Sequence, residues 1–475
     1  MRSAPDTEAA THDPTPWVAP AAPATPFAAR LFAVCWAFAL IVHHHFGHGT
    51  LEALQVAEIF AAVLVMSFPG SWRLLAVLAA TQIVTYLSRL PVASNHYTVM
   101  LFGNIALLIA SWTAWRTHPE PERGEAIYRQ ARAAMPWLLI VLYFWGTIHK
   151  LNTAYLNPEV SCGAELMSRL ELAVGLEPAP LSAWLAILAT FLCEGGALFL
   201  LATRWGWAPA VVFILPFHLA IGATGFAYYV DFSALMLAMF VPLFDDERLA
   251  PLRRLWLGLE PALGKLSRAR RALPALVLAL IYLTVASSTS TMRFWPELLI
   301  AGALGCLLYA GLAACAIHAF KQRRLSGPRP LGRLSIGLSA VVAVFFLNGA
   351  SPYLGLKTES SIAMYSNLRT EGSSNHLFVP ASWQLTNLQT PVRIHRTNIK
   401  SLKRYRRGEL GVTWFELWRA VKQSPNGSVR YSVDETELLH DGGRGDRAPY
   451  TPSWLFEKLW RFKPVSFRTP QPCTH

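Results

Sequence analysis

The first 350 residues alternate between long apolar runs and short polar loops. Eleven runs are long enough, or nearly so, to cross the apolar core of a bilayer, which is about 30 Å thick, as helices. They cover residues 27–46, 53–68, 72–88, 98–115, 134–150, 181–203, 208–225, 229–244, 273–290, 297–319 and 334–350. This pattern predicts an all-α polytopic membrane helix bundle with about 11 transmembrane helices.

Polar segments flank the predicted bundle of residues 27–350. Residues 1–26 are rich in proline, alanine and threonine, which is typical of disorder. Residues 351–475 contain a stretch at 427–433 that alternates like a strand and one at 411–421 that is patterned like an amphipathic helix. We therefore expect a disordered N-terminal segment, the bundle, and a small α+β C-terminal domain.

Composition and charge agree with a membrane protein. Only 15% of the residues are charged and 53% are hydrophobic, whereas soluble domains carry about 25% charged residues. With a cytoplasmic N-terminus, eighteen basic residues fall on cytoplasmic loops and four on outward loops, as the positive-inside rule requires. The C-terminal domain is then extracytoplasmic. Short loops and the lack of eukaryotic sorting signals favour a bacterial inner (cytoplasmic) membrane.

The formal charge of +13 does not indicate a nucleic-acid partner, because the basic residues form no single face with a nucleic-acid motif. The six cysteines show no metal-ligand spacing. Only Cys162 and Cys473 lie in predicted extracytoplasmic segments, where a disulfide is chemically possible. The sequence does not pair them.

Lys150 is the first candidate for chemistry. An apolar run from Met135 to Ile148 ends on His149 and Lys150. A lysine in such a position costs a few kcal/mol unless it pairs, reaches the interface or faces a wet cavity. Lys150 is therefore a functional-site candidate, and the alternative is a side chain that simply anchors the helix end at the interface.

Other polar groups are predicted at the same leaflet, which indicates a pocket open to the outside. Asn95 and His96 precede the fourth run, His218 lies in the seventh, and Asp231 opens the eighth. His218 is alternatively a core histidine, and Asp231 a helix cap or the partner of a neighbour. Glu194 lies mid-span, and no role follows from its position.

A metal site is not predicted. His43, His44, His45 and His48 end the first run, and His44 and His48 are four residues apart on one helix face. Because the sequence identifies no third ligand, these histidines are interpreted as interfacial side chains.

The stretch Tyr-Phe-Trp-Gly-Thr-Ile-His-Lys-Leu-Asn at 143–152 resembles the helix that carries the base lysine in the vitamin K-dependent gamma-glutamyl carboxylases. It is also similar to their bacterial relatives, the horizontally transferred transmembrane (HTTM) domain proteins. Ser-Asn-His-Tyr at 94–97 resembles the Asn-His pair of that family. The Phe-His pair at 217–218 and the segments 351–357 and 364–372 follow in matching order, so the resemblance covers roughly residues 27–380.

The resemblance implies that Lys150 is a neutral base that deprotonates a reduced naphthoquinone, and that His96 assists it. Asn95, His149 and His218 would contact substrate. Burial in an apolar pocket disfavours the ammonium form that would prevent this chemistry. The expected cofactor is reduced vitamin K or another quinol, with O2 and CO2 as co-substrates.

The quinol would enter from the lipid bilayer, and a peptide or protein substrate would approach from the extracytoplasmic side. The quinol is converted to its epoxide, and the strong base formed on the way abstracts a proton from a glutamate that then takes up CO2.

The sequence also departs from the family. His149 stands where animal members have a second basic residue, and the C-terminal domain is much shorter than theirs, so substrate recognition is expected to differ. The leading hypothesis is a carboxylase-like membrane enzyme. The alternatives are a transporter or channel for a small ion, and a non-catalytic membrane protein whose C-terminal domain binds a partner.

Overall fold

The computed structural model describes residues 25–46, 52–224, 227–264, 295–322 and 331–473. Most of the predicted disordered segment and the run at 273–290 lie outside the described residues. The other ten predicted runs are all helical. The helices up to residue 350 are α1 (Phe27–Phe46), α2 (Ala53–Ser67), α3 (Trp72–Arg89), α4 (Asn95–Thr117), α5 (Glu120–Lys150), α6 (Cys162–Ala173), α7 (Pro180–Thr190), α8 (Gly196–Ala202), α9 (Trp207–Gly222), α10 (Ala227–Phe240), α11 (Ala250–Gly264), α12 (Trp295–Lys321) and α13 (Ile336–Ala350).

Five helical segments in the described part of the chain are long and apolar enough to cross a membrane. They are Phe27–His44, Asn95–Thr117, Glu120–Lys150, Pro180–Ala202 and Gly302–Lys321. Four further apolar helices have 10–17 residues, and at 1.5 Å per residue a helix of about 15 residues is only about 22 Å long. The chain is thus a mainly helical protein with membrane-spanning character, and the number of eleven spans stays a prediction.

The outside of the bundle is apolar, as contact with lipid requires. Phe199, Phe213 and Leu307 are between 67% and 76% exposed, although they lie on long hydrophobic helices. On a soluble protein, large exposed apolar patches mark interaction surfaces or membrane contact. Their exposure is compatible with contact between the bundle and a lipid bilayer.

Inside the bundle, polar side chains are paired across helices. The Trp36 indole of α1 donates to Asn104 Oδ1 of α4 at 2.9 Å, and Asn104 Nδ2 donates to Gln82 Oε1 of α3 at 3.1 Å. All three residues are buried. In an apolar surrounding an unpaired amide is costly, so this chain of hydrogen bonds fixes how α1, α3 and α4 pack.

The C-terminal domain contains a five-stranded antiparallel sheet, in the order β4-β3-β1-β2-β5. The elements are β1 (Pro391–Thr397), β2 (Leu410–Thr413), α14 (Trp414–Lys422), β3 (Ser428–Val433), β4 (Thr436–Asp441), α15 (Trp454–Leu459) and β5 (Val465–Ser466). The predicted strand is confirmed as β3. The predicted helix at 411–421 is only partly right, because its first residues pair with β1 and β5 as β2. Thr413 then ends the strand and caps α14 by accepting the Glu416 N–H.

This domain is fastened to the bundle beside the end of α5. Backbone hydrogen bonds run from Thr153 N–H to Asn375 O at 3.1 Å and from Leu377 N–H to Leu151 O at 3.0 Å. Cys162 and Cys473, which the sequence left unpaired, form a disulfide that links the start of α6 to the chain's last described residue. The C-terminal domain therefore covers the end of the bundle at which Lys150 lies.

The pH dependence of the unfolding temperature tests how the segment after α13 packs, through the side chain of Lys357. Lys357 follows α13 and is half-buried, and desolvation lowers its pKa from 10.5 to about 8. Between these two pKa values the folded protein binds fewer protons than the unfolded chain, so the free energy of unfolding rises with pH. The cost of desolvating the ammonium group is complete below about pH 8 and absent above the unfolded pKa.

We expect Lys357→Met to unfold at a temperature higher by a few degrees than the wild type near pH 7. The difference should shrink as the pH is raised from about 8 to about 10. Thermal unfolding in detergent across this range measures it, and a difference that does not change with pH would contradict the burial of this ammonium group.

Candidate functional site

Lys150, the last residue of α5, lies in the wall of a cavity of about 230 Å3 inside the bundle. Tyr143, Gly146 and Lys150 are spaced three and four residues apart, so the helix presents them on one face. That face lines the cavity together with α6, α7 and α9. Most of the other lining groups are apolar, among them Leu142, Leu166, Met167, Leu170, Ala186, Ala189, Phe217, Ile221, Phe232, Ile362 and Met364.

The Lys150 ammonium is paired with a carboxylate that the sequence left without a role. Lys150 Nζ lies 2.7 Å from Glu194 Oε2 and donates to Gly146 O at 3.1 Å. The two side chains are only 6% and 14% exposed. Charged residues in apolar helices usually pair with an opposite charge. The pairing of Lys150 with Glu194 could therefore have been predicted from the sequence.

Glu194 reaches Lys150 because the helix around it is irregular. Residues Phe191–Gly195 form a π-helical turn between α7 and α8. A π turn adds one residue to the helix, so it shifts the side chains relative to α-helical spacing, and such turns occur often at functional sites. No hydrophobic period reveals this shift. The sequence therefore placed Glu194 in the span but not at the cavity.

His218 of α9 also lines the cavity. Its Nε2 lies 2.8 Å from the Tyr143 hydroxyl, and the His218 ring is buried. Its Nδ1 has no hydrogen-bond partner among the described residues. One ring nitrogen is thus held by Tyr143, and the other is buried without a partner among the described residues.

His96 and Asn95 line a different cavity, of about 810 Å3, between the bundle and the C-terminal domain. His96 binds Asp231, whereas Asn95 Oδ1 accepts the backbone N–H of Ile362 at 2.7 Å. The amide of Asn95 therefore holds the segment after α13 in place, and its contact with substrate stays a prediction.

The two cavities adjoin, since Leu166, Met364 and Tyr365 line both. Lys150 and His96, which were expected to serve one site, thus lie on neighbouring cavities and not at a single ligand position.

His149 lines neither cavity. Its ring is fully buried, Nδ1 lies 2.9 Å from the Tyr353 hydroxyl, and Nε2 lies 3.2 Å from Ser361 O. It also stacks against Trp145, with ring centroids 5.2 Å apart. Both nitrogens are thus used by the chain's own segment after α13. The structure places His149 as a support for that segment, away from the substrate position expected for it.

The larger cavity carries more positive than negative groups. Arg169, Arg404 and Lys463 line it, together with Glu165 and Glu359. Arg169 and Glu165 form an ion pair with each other. The balance favours an anionic or carboxylate-bearing occupant.

No family model, curated protein or solved structure matches the chain.

Proposed function

We propose that the chain is a membrane-embedded quinol-oxidising enzyme of the vitamin K carboxylase-like class, with Lys150 as its base. The observation that carries the proposal is the position of the Lys150 amine. It is 5% exposed, paired with Glu194, and at the wall of a mainly apolar cavity that His218 also lines. A buried amine with a polar partner in an apolar pocket is a common arrangement for a base that acts on a weakly acidic hydroxyl.

The size and lining of the cavity fit the head group of a quinol. Pockets for drug-sized ligands have volumes of about 300–1,000 Å3, and this cavity of about 230 Å3 is slightly smaller. A bicyclic ring fits in this space, but a long isoprenoid tail does not. The tail would lie between the helices, which is the route by which a lipid-soluble quinol enters from the bilayer.

The Lys150–Glu194 pair makes the proton transfer chemically reasonable. Glu194 Oε2 lies 2.7 Å from Lys150 Nζ, so a proton can pass directly between the two side chains. When a quinol hydroxyl binds beside Nζ, its O–H bond breaks and the proton passes to the amine. The new ammonium then lies against the quinol anion, which it stabilises.

The larger cavity is the proposed binding site for the substrate that is carboxylated. In the proposed overall reaction the quinol and O2 yield the quinone epoxide and water, and a carbon acid exchanges a proton for CO2. The carbon acid would occupy the cavity lined by His96, Arg169 and Lys463, which adjoins the Lys150 cavity. The cationic groups there suit a glutamate carboxylate.

Turnover by the purified wild type tests the proposal. Detergent-solubilised protein is supplied with reduced vitamin K and O2, and the epoxide is measured by chromatography, with labelled CO2 and a glutamate-containing peptide in a parallel sample. Epoxide without labelled peptide would support quinol oxidation but not carboxylation. If no quinol is oxidised and reconstituted liposomes conduct protons, the transport hypothesis takes its place.

Gly146 provides a finer test of the Lys150–Glu194 geometry. A Cβ at this position would lie 3.0 Å from Glu194 Oε2 and 4.0 Å from Lys150 Nζ. Gly146→Ala should therefore displace the carboxylate by a few tenths of an ångström and lower epoxide formation about tenfold, because small displacements of reacting groups are costly. Stability should not fall, since alanine favours a helix over glycine by about 1 kcal/mol.

The matched control for that variant is Gly196→Ala, at which a Cβ would meet no atom within 4 Å. It should retain the wild-type rate. Equal rates for Gly146→Ala and Gly196→Ala would show that the position of Glu194 does not matter for turnover.

A further inference from the structure

Three side chains from distant parts of the sequence converge at the wall of the larger cavity. They are His43 near the end of α1, His96 in the first turn of α4, and Asp231 in the first turns of α10. Asp231 Oδ2 lies 3.0 Å from His43 Nδ1 and 2.6 Å from His96 Nε2, and the two nitrogens are 3.1 Å apart. Three potential ligand atoms thus face one another in a small triangle.

Hydrogen bonds alone do not account for all the close polar contacts in this cluster. An imidazole nitrogen carries either one hydrogen or one lone pair, in the plane of the ring. His96 Nε2 nevertheless has three polar atoms in range, because Ser94 Oγ lies 2.9 Å away as well. Asp231 has already used Oδ1 to accept the Phe232 N–H, so Oδ2 faces both rings. A single cation between the three atoms would satisfy all of them.

The geometry fits a first-row transition-metal ion. Bonds of about 2.0–2.2 Å at tetrahedral angles hold two ligand atoms about 3.3–3.6 Å apart. The three atoms would have to separate by roughly 1 Å or less, which small side-chain rotations allow. Two histidines and one carboxylate form a set that binds zinc or iron and leaves coordination positions open.

The surroundings provide both rigidity and access. His43 and Asp231 are 7% and 3% exposed, and the His43 ring stacks on Tyr97 with centroids 4.3 Å apart. His96 lines the larger cavity, so an ion would reach the site from that side and direct its open positions into it. A metal site needs such an access route as well as the correct ligands.

We propose that His43, His96 and Asp231 form a binding site for one divalent transition-metal ion of the Zn2+ class, open towards the larger cavity. The site does not depend on the quinol chemistry of Lys150. It goes beyond the isolated histidines seen in the sequence, because its second and third ligands come from α4 and α10.

Cobalt titration of the full-length protein tests the site. The protein is purified without a polyhistidine tag, stripped with a chelator and titrated with Co2+, whose visible absorption reports nitrogen and oxygen ligands. We expect one equivalent per chain, displaced by Zn2+. Asp231→Asn and His96→Gln should each weaken binding by at least about 10- to 100-fold, a loss otherwise seen even for supporting residues of metal sites.

His44→Gln is the matched control. His44 is also a buried histidine of α1 beside a carboxylate, with Nε2 3.1 Å from Glu58 Oε1, but it has no part in the triangle. This variant should bind Co2+ as the wild type does. Thermal unfolding with and without Zn2+ accompanies each titration, so that a misfolded variant is recognised, and Zn2+ should stabilise the wild type but not Asp231→Asn.

The assignment is overturned if the wild type binds no Co2+ after stripping, or if Asp231→Asn and His96→Gln bind it as tightly as the wild type. Loss of binding in a folded His44→Gln would move the ion to the His44–Glu58 pair and would also overturn it.

Discussion

Lys150→Met is expected to reduce epoxide formation from reduced vitamin K by about 100- to 10,000-fold, the usual contribution of a positioned general base. Methionine keeps the length and apolar stem of lysine, so the cavity of about 230 Å3 should keep its shape while it loses the amine. The measurement is the initial rate of epoxide formation under saturating quinol, with protein concentration checked by absorbance.

The partner of Lys150 makes a second variant necessary. Removal of one member of a buried ion pair leaves the other charge uncompensated, which by itself destabilises a protein by about 3–5 kcal/mol. The double variant Lys150→Met with Glu194→Gln carries no charge at the pair and should fold more readily, yet it should be as inactive as Lys150→Met. A loss of rate in both separates the missing base from a damaged fold.

Lys357→Met is the control for replacing a second desolvated lysine by methionine. Lys357 is desolvated as well but lines neither cavity, so its replacement should leave the rate unchanged. If Lys150→Met retains most of the activity while Glu194→Gln loses it, the base is the Glu194 carboxylate and not the Lys150 amine. Equal activity in all of these variants would refute the proposed site.

The helices of this protein could be predicted from the sequence because apolar runs of near-membrane length leave few other structures. Ten of the eleven predicted runs are helical in the described residues, and the eleventh lies outside them. Of the polar groups expected at one outward pocket, Lys150 and His218 line one cavity, whereas Asn95 and His96 line the neighbouring one. Depth along a span can be read from the hydrophobic pattern.

The direction in which a side chain points around the helix axis was harder to predict. His149 and Lys150 are adjacent, and neighbours on a helix point about 100° apart, so Lys150 faces the cavity whereas His149 faces Tyr353 and Ser361. The π turn that aims Glu194 leaves no mark in the hydrophobic period. Contacts between distant helices, such as His43 with Asp231, depend on packing that no local pattern encodes.

Asn152→Leu is expected to destabilise the protein by at least about 3 kcal/mol, because leucine has a similar size but cannot replace the hydrogen bonds of the amide. Asn152 is fully buried two residues after Lys150. Its Nδ2 donates to His149 O at 2.8 Å and to Ser366 O at 2.6 Å, and its Oδ1 accepts the Tyr155 N–H at 2.8 Å. Each buried backbone group left without a partner costs about 1–3 kcal/mol.

The same amide ties three parts of the molecule together, the end of α5, the loop after it, and the segment at Ser366, so its loss should also loosen Lys150. We expect a lower unfolding temperature and faster proteolysis between residues 351 and 390. Both effects should become larger when the Cys162–Cys473 disulfide is reduced, because the disulfide otherwise holds the C-terminal end against the bundle. Asn157→Ala removes an amide from the same loop; among the described residues its Oδ1 accepts one hydrogen bond, from the Glu159 N–H at 3.0 Å. It should change stability by less than about 1 kcal/mol. If Asn152→Leu is no less stable than Asn157→Ala, the position of Lys150 is set by the packing of α5 and not by this buried amide.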